Sequence, residues 1–506
     1  MANTLTASRS QVIFGVCVPL AVLVGYFLAR PLESTSLAIV VLVATVLLFP
    51  LLVRWYHPLL IITWNAAINP FFLPGRPYLW MLLAVIGLIV AMINRSVDPE
   101  KRFMPAGSVP WALLFLALVL VVTAAATGGI GVRTLGSETY GGKKYFYIWA
   151  AIIGYFALAS RRIPTEHARL YVLLFFLSAI TAVLSNLAYT AGPSYYFLLD
   201  LFPPEFALAQ AFGTETPYGG ISRIAGCRWA SMGIAFGLLA LYGIRGSLDL
   251  KKPWRAALLG AAFAGGLLSG YRSFVILLGL VFVFAFCLEG LHRTRWLPVF
   301  LVLSLVGGSV LVTFMDKLPL PAQRALSVLP VRVSPVVRGD VDFSTEWRLD
   351  MWRTALPEIS KYLWKGKGYA VNPSDYYLGL ENTVRSFGGA SENSMLFADY
   401  HNGPLSVLIP FGLWGAAGFL WFLIAGGRVL YLNYRFGEAS LRTLNTALLA
   451  CFGGHAVFFL LFFGSIDTDL FVLAGLVGLS VSLNGGVSAA AESVEQEPDS
   501  AEPLVD

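Results

Sequence analysis

Hydrophobic and polar positions fall into long blocks along this chain, with little of the short alternation that marks strands. Apolar runs of about 17 to 22 residues recur from end to end, each long enough to cross about 30 Å of hydrocarbon as a helix. The pattern predicts about fourteen spans, near 11–29, 36–53, 58–73, 79–95, 109–128, 144–160, 168–190, 227–245, 254–270, 273–290, 296–315, 404–425, 442–462 and 466–484. The third is the weakest, because Asn65, Asn69 and Pro70 interrupt it, and it is expected to be re-entrant or half-buried. One polar block of roughly 88 residues breaks the series before the helix that starts at Pro404. The predicted class is an all-α, polytopic integral membrane protein of about 12–14 transmembrane helices with one long outer loop bearing short helices. Its expected parts are membrane helices over 1–220, a second group over 221–315, the loop 316–403, a third group of helices over 404–484, and a tail over 485–506.

Composition agrees with that class. The chain is 57% hydrophobic and 13% charged, where soluble proteins carry about 25% charged residues. The first apolar block lacks a small-residue cleavage site and is followed at once by another, so it reads as a retained helix. The tail from Ala489 carries Glu492, Glu495, Glu497, Asp499, Glu502 and Asp506 with few large apolar residues, and is expected to be disordered and cytoplasmic. Cys17, Cys227, Cys287 and Cys451 lie far apart in or beside apolar runs, which suggests no disulfide framework and no metal site. The net charge of +6 comes without a basic stripe of interleaved aromatics, so no nucleic-acid partner is expected. Anionic lipid or phosphate is the expected counter-charge.

Orientation follows from the Lys and Arg count in the connections. With the N-terminus inside, about seventeen fall on the inner side and about eight on the outer side when the long loop is left out. Arg223, Arg272, His401 and the whole 316–403 loop are then outside, and Ser374 and Ser247 lie on opposite faces. The lysines of Tyr140-Gly141-Gly142-Lys143-Lys144-Tyr145 are read as flanking a span, with phosphate contact the other reading.

Candidate chemistry gathers at the outer boundary. Ser269-Gly270-Tyr271-Arg272-Ser273 separates two spans with almost no loop, which holds a guanidinium at the membrane edge. There it must be paired, snorkel as a plain anchor, or serve a function. In the loop, Ser344 is expected to cap a helix that carries Glu346, Trp347, Arg348, Leu349 and Trp352 and stops by Gly366-Lys367-Gly368. Arg348 and Trp352 share a face four residues apart. The alternative for Arg348 is a solvated residue on a surface helix. Arginine's planar fork suits phosphate oxygens, and Arg223, Arg272 and Arg348 together would fit a lipid-linked diphosphate.

Of the histidines, His57, His167 and His292 fall in inner connections and His455 inside a span beside Gly453-Gly454; His401 alone belongs to the outer loop. A neutral imidazole there would take a proton from an attacking hydroxyl, with Asn402 or a backbone group fixing its tautomer; a helix-start histidine that merely packs is the other reading. Asp340-Val341-Asp342 has the form of a metal clamp for a nucleotide sugar. The surrounding loop lacks the alternating strands and helices of a nucleotide-binding domain, so the pair is read as incidental, with a double alanine variant expected to keep most activity.

Glu392-Asn393-Ser394 through His401-Asn402-Gly403-Pro404-Leu405, then Phe411-Gly412-Leu413-Trp414-Gly415, resembles the HN-x-x-L … x-GL-x-G signature of the O-antigen ligase and polymerase superfamily of bacterial membrane glycosyltransferases. Arg348 with Trp352 and Gly366-Lys367-Gly368 resembles that family's R-x-x-x-W … G-x-G pattern, the Ser269–Ser273 corner its S-x-SR turn, and Arg223 with Gly226 its R-x-x-G element. The likeness covers about 220–480. Cys227-Arg228-Trp229-Ala230-Ser231 departs from the aromatic and Asn-Pro-Asn-like run that usually follows, as does Pro404 after the His-Asn-Gly.

The resemblance implies an inverting, metal-independent glycosyltransferase, without cofactors, on the outer face of the cytoplasmic membrane. Its donor would be an undecaprenyl-diphosphate-linked glycan, and its acceptor a hydroxyl on lipid A core, on another glycan or on a protein. It further implies His401, Arg272 and Arg348 as catalytic and Arg223, Asn402, Trp352 and Tyr271 as substrate-binding. The polymerase and the protein O-oligosaccharyltransferase are alternatives within the superfamily. A polysaccharide-lipid transporter is the competing class, for which ionisable groups deep in the spans or two related halves are expected.

Overall fold

Apolar side chains repeat around every face of most helices, and in lipid each helix also satisfies its own backbone, so the elements follow the hydrophobic blocks closely. The structure, a computed structural model, describes residues 53–71, 73, 75–98, 103–131, 140–211, 221–377 and 394–488, with isolated positions before residue 53. The expected spans at 11–29 and 36–53, the acidic tail, and Glu392-Asn393 lie outside the described residues. The chain divides into two units, Met1–His57 and Pro58–Asp506. In the first, residues 53–57 are helical. All that follows concerns the second.

Each expected span from residue 79 onward is a helix: α1 Leu79–Val97, α2 Val109–Ala126, α3 Lys143–Leu158, α4 Thr165–Ala191 with a 3₁₀ stretch at Ser178–Ala182, α5 Gly226–Ser247, α6 Pro253–Leu267, α7 Arg272–Leu288 and α8 Trp296–Phe314. The loop contributes α9 Leu320–Leu326 and α10 Pro335–Tyr362, and α11 Gly403–Phe436, α12 Arg442–Leu461 and α13 Ile466–Asn484 complete the set. Among the described residues, eight helices are long and apolar enough to cross a membrane, and α7 is a shorter apolar one. The protein is a polytopic α-helical membrane protein.

The weak third span is a helix only as far as Thr63. Beyond it Asn65 donates to the Phe175 carbonyl at 2.9 Å and holds the segment to α4, while buried Trp64 stacks on Phe471 of α13 at 5.2 Å.

Successive helices run in opposite directions. The first turns of α3, α5, α7, α11 and α13 and the last turns of α6 and α12 therefore share one end of the bundle, where α9 and α10 lie. At the other end Arg162 pairs with Glu438 at 2.7 Å, and Glu289 accepts from the Ile244 amide at 2.6 Å. Ser247 also lies at that end but is fully buried, which makes it useless as an accessibility marker; Leu250, 92% exposed, serves instead.

One junction fixes the loop on the bundle. Pro410 and the left-handed Gly412 (φ 63°) break the hydrogen-bond ladder of α11. The loop uses the freed groups: Lys367 donates to the Ile409 carbonyl at 2.9 Å, Gly368 to the Pro410 carbonyl at 3.0 Å, and Leu413 to the Leu363 carbonyl at 2.8 Å. Gly366 (φ 75°) must be glycine here, because a Cβ would sit 2.3 Å from the Pro410 oxygen. The end of α10 is thus tied to the helix that His401 precedes.

Candidate active site

Helix α10 begins earlier than its sequence suggests. Ser334 caps it, accepting from the Val337 amide at 3.4 Å, and Ser344 lies inside it. The added turns carry Asp340, Ser344 and Thr345 onto the face that also bears Arg348 and Trp352, toward the corner between α6 and α7. There Arg272 donates to Ser344 Oγ at 3.1 Å and to Thr345 Oγ1 at 3.2 Å. Those hydroxyls orient the fork, and among the described residues no carboxylate lies within ion-pair distance of it.

Between these elements opens a chamber of about 430 Å³. Its polar wall is Arg223, Arg228, Arg272, Arg324, Arg348 and His401, with Tyr271 and Trp352; its apolar wall is Ile276, Val328, Leu349, Phe458, Phe462 and Phe463. The structure therefore brings together Arg223, Tyr271, Arg272, Arg348, Trp352 and His401. Asn402 does not line the chamber: its side-chain oxygen accepts from the Leu405 amide at 3.1 Å and caps α11. The tautomer-fixing task expected of Asn402 has no support in this geometry.

Sequence reasoning missed Arg324 and gave Arg228 no role. Each carried a signal, since Arg324 stands in Pro321-Ala322-Gln323-Arg324-Ala325-Leu326, an apolar patch inside the polar block, and Arg228 lies within the first turn of an apolar run. The expectation that Asp340 is incidental is also corrected. Asp340 is fully buried, hydrogen-bonded to Arg324 Nε and 3.7 Å from Arg223, while Arg324 donates a second bond to the Gly270 carbonyl at 2.7 Å. One carboxylate thus holds α9, α10, Arg223 and the Ser269–Ser273 corner in register. Asp342 is exposed.

Tyr271 lies between two cations, with its ring centre 5.8 Å from the Arg223 guanidinium and 5.6 Å from that of Arg228. Burial away from water lowers the Arg223 pKa to about 10, with Arg324 adding to the effect and Asp340 opposing it. Burial, then Arg272 and Arg324, brings Arg348 to about 10 as well. Both remain charged at neutral pH. The chamber is a concentrated positive field in partly dry surroundings, where fixed charges act strongly on an anion.

His401 sits on a short strap, 397–401, ahead of α11. Its backbone is left-handed (φ 48°), unusual for a residue other than glycine, and Ala398 is left-handed too (φ 52°). Trp352 donates its indole N–H to the Tyr400 carbonyl at 2.8 Å, which explains a tryptophan four residues after Arg348: it anchors the strap. The imidazole stacks on Phe463 at 5.3 Å and touches the Trp347 ring at 5.4 Å. Its Nδ1 is buried without a hydrogen bond, 3.5 Å from Asp399 Oδ1.

Burial lowers the His401 pKa below its usual 6.5; Asp399 pulls it up, and Arg348 and Lys144 push it down. The ring is neutral at pH 7 and ready to accept a proton. Activity that needs this neutral ring should show an acid limb below pH 6.5, and Asp399→Asn, by removing the charge that favours imidazolium, should move that limb to lower pH. A pH–rate profile of the two proteins checks this; an unmoved limb would assign it to another group.

His455, the other histidine considered, is buried within α12, with Nδ1 2.8 Å from the Cys451 carbonyl and its ring edge-on to Phe236 at 6.0 Å. It packs helices and does not line the chamber.

Compared with known families, residues 256–420 match the model described as O-antigen ligase, which covers α6 to α10 and the first half of α11. No curated protein matches the chain.

Proposed function

We propose, from the match of residues 256–420 to the model described as O-antigen ligase, that the protein transfers a glycan from a polyprenyl diphosphate to a hydroxyl acceptor at the outer face of the cytoplasmic membrane. The observation that carries this reading is the convergence of Arg223, Arg228, Arg272, Arg324 and Arg348 with a neutral histidine on one chamber that also has an apolar wall of phenylalanine and aliphatic side chains. Such a site suits a ligand with an anionic head and a hydrocarbon tail.

In the proposed reaction the acceptor oxygen attacks the anomeric carbon while the bond from that carbon to the diphosphate oxygen breaks. The diphosphate leaves with the electron pair and the configuration inverts. His401 receives the acceptor proton. Arg272 and Arg348 bind the oxygens on which charge grows, Arg223 and Arg228 flank them, and Arg324 is held back by Asp340. Stabilisation of this kind is the largest contribution in many enzymes. Ligase, polymerase and protein O-oligosaccharyltransferase versions of the reaction share these steps and differ in the acceptor.

Purified protein in liposomes, given undecaprenyl-diphosphate-linked glycan and candidate acceptors, is expected to release free lipid diphosphate as product forms. Excess chelator should not stop it, because arginines neutralise the diphosphate. Movement of intact donor between leaflets with no such release would point to a transporter instead. Arg272→Lys and Arg348→Lys should each lower transfer by about 10- to 100-fold, since a point charge does not reproduce a planar fork. Full activity in both lysine variants would remove the diphosphate clamp from these positions.

The outer-face assignment has its own test. In a background without native cysteines, Ser374→Cys should react with an impermeant thiol reagent on intact cells and Leu250→Cys should not. The reverse labelling would put the chamber on the cytoplasmic side.

A further inference from the structure

A second cavity, of about 400 Å³, lies at the same end of the bundle, its lining including Tyr147, Tyr369, Phe397, Lys143, Asp467 and Thr468. Its chemistry differs from that of the chamber. Among the described residues its lining has no arginine and no aliphatic wall; aromatic rings, three of them tyrosines, stand beside one carboxylate, the Thr468 hydroxyl and the paired lysines of α3. Tyr78 and Tyr147 meet edge to face at 5.9 Å, and the Lys143 ammonium lies 5.7 Å from the Tyr147 ring centre.

The strap is common to both cavities: Phe397 lines the second and His401 the first. Lys144 ties the strap to α3, donating to the Ala398 carbonyl at 2.9 Å, and its charge acts on the His401 ring. The two left-handed residues, Ala398 and His401, are the turns that let five residues pass between the cavities. Strained backbone of this kind persists only where the surroundings hold it.

We propose that this second cavity is the subsite for the acceptor saccharide, which rests on Tyr147 and Phe397 with its hydroxyls on Asp467 and Thr468, and presents its attacking hydroxyl to His401 across the strap. The inference rests on the glycosyl-transfer reading of the chamber and adds where the second substrate binds. Displacement with inversion requires nucleophile and leaving group on opposite sides of the reacting carbon, so a diphosphate among the arginines leaves the acceptor to approach from elsewhere. A cavity of this size with flat apolar faces and few polar groups fits a small oligosaccharide. Asp467 disfavours a second diphosphate there.

The test uses full-length protein in liposomes, a labelled lipopolysaccharide core oligosaccharide and, in parallel, a lipid-linked repeat unit as acceptors, and undecaprenyl-diphosphate-linked glycan as donor. Phe397→Ala and Asp467→Asn should each raise the acceptor KM about tenfold and leave the donor KM within about twofold. In a background without native cysteines, Thr468→Cys should be shielded from maleimide by the accepted saccharide and not by undecaprenyl diphosphate. Wild-type transfer with unchanged acceptor KM in both variants and no shielding overturns the subsite and leaves the glycosyl-transfer reading standing. A wild-type protein that releases no lipid diphosphate with either saccharide or with a protein acceptor overturns both, and transfer to protein alone overturns the saccharide subsite.

Discussion

His401→Ala is expected to reduce glycan transfer by at least about 100-fold, the contribution usual for a positioned acid–base group, with protein abundance in the membrane near normal. The side chain lies in the wall of an open chamber, not in the packed interior, so its loss leaves little unfilled core. The backbone adds a control. His401 is left-handed, a conformation that asparagine tolerates better than most residues. His401→Asn should therefore keep the strap and still lose the base. If both variants fail and only His401→Ala loses abundance, the alanine result is partly structural; if His401→Asn transfers at the wild-type rate, the histidine is not the base. His455→Ala, in contrast, should chiefly loosen the contact between α12 and α5, where its ring meets Phe236.

Asp340→Ala should be the most damaging change in the loop. Both partners of its ion pair with Arg324 are buried, and removal of one member of such a pair leaves a cation in a dry site, at a cost of about 3–5 kcal/mol. Arg324 would also lose part of its hold on the Gly270 carbonyl, and with it the placement of the corner that starts α7 at Arg272. The expected result is a lower midpoint of thermal unfolding in detergent together with loss of transfer. Asp342→Ala, two residues on and exposed, should change neither by much. Asp340→Asn separates the roles: it keeps the shape and one hydrogen-bond acceptor, so fold is retained better than function if the charge matters chiefly for placing Arg223 and Arg324. Magnesium or manganese rescuing a chelated enzyme, with Asp340→Ala and Asp342→Ala equally dead, would instead make the pair a metal clamp.

Much of this was legible in the sequence because it is local. A block of about 20 apolar residues declares a helix wherever it occurs, since lipid leaves the backbone no other partner, and α1 to α8, α12 and α13 follow those blocks with ends displaced by a few residues, while α11 runs on to Phe436, well past the expected end at 425. The short motifs were equally legible: Arg223, Tyr271, Arg272 and His401 stand at block boundaries, where a cation or an imidazole is conspicuous against hydrocarbon, and Arg348 and Trp352 share a face of a helix-patterned stretch of the loop. Only the tertiary structure decided which polar groups are spoken for. Asn402 caps a helix, Trp352 anchors the strap, Asp340 pairs with an arginine 16 residues away, and Arg228 and Arg324 join the chamber. Composition and spacing do not reveal such pairings, because in a polar loop any arginine has several carboxylates within reach. The choice is made when α10 extends three turns upstream of Arg348 and the Gly366–Gly368 segment docks on the broken ladder of α11, since burial then makes every unpaired charge costly and selects one arrangement.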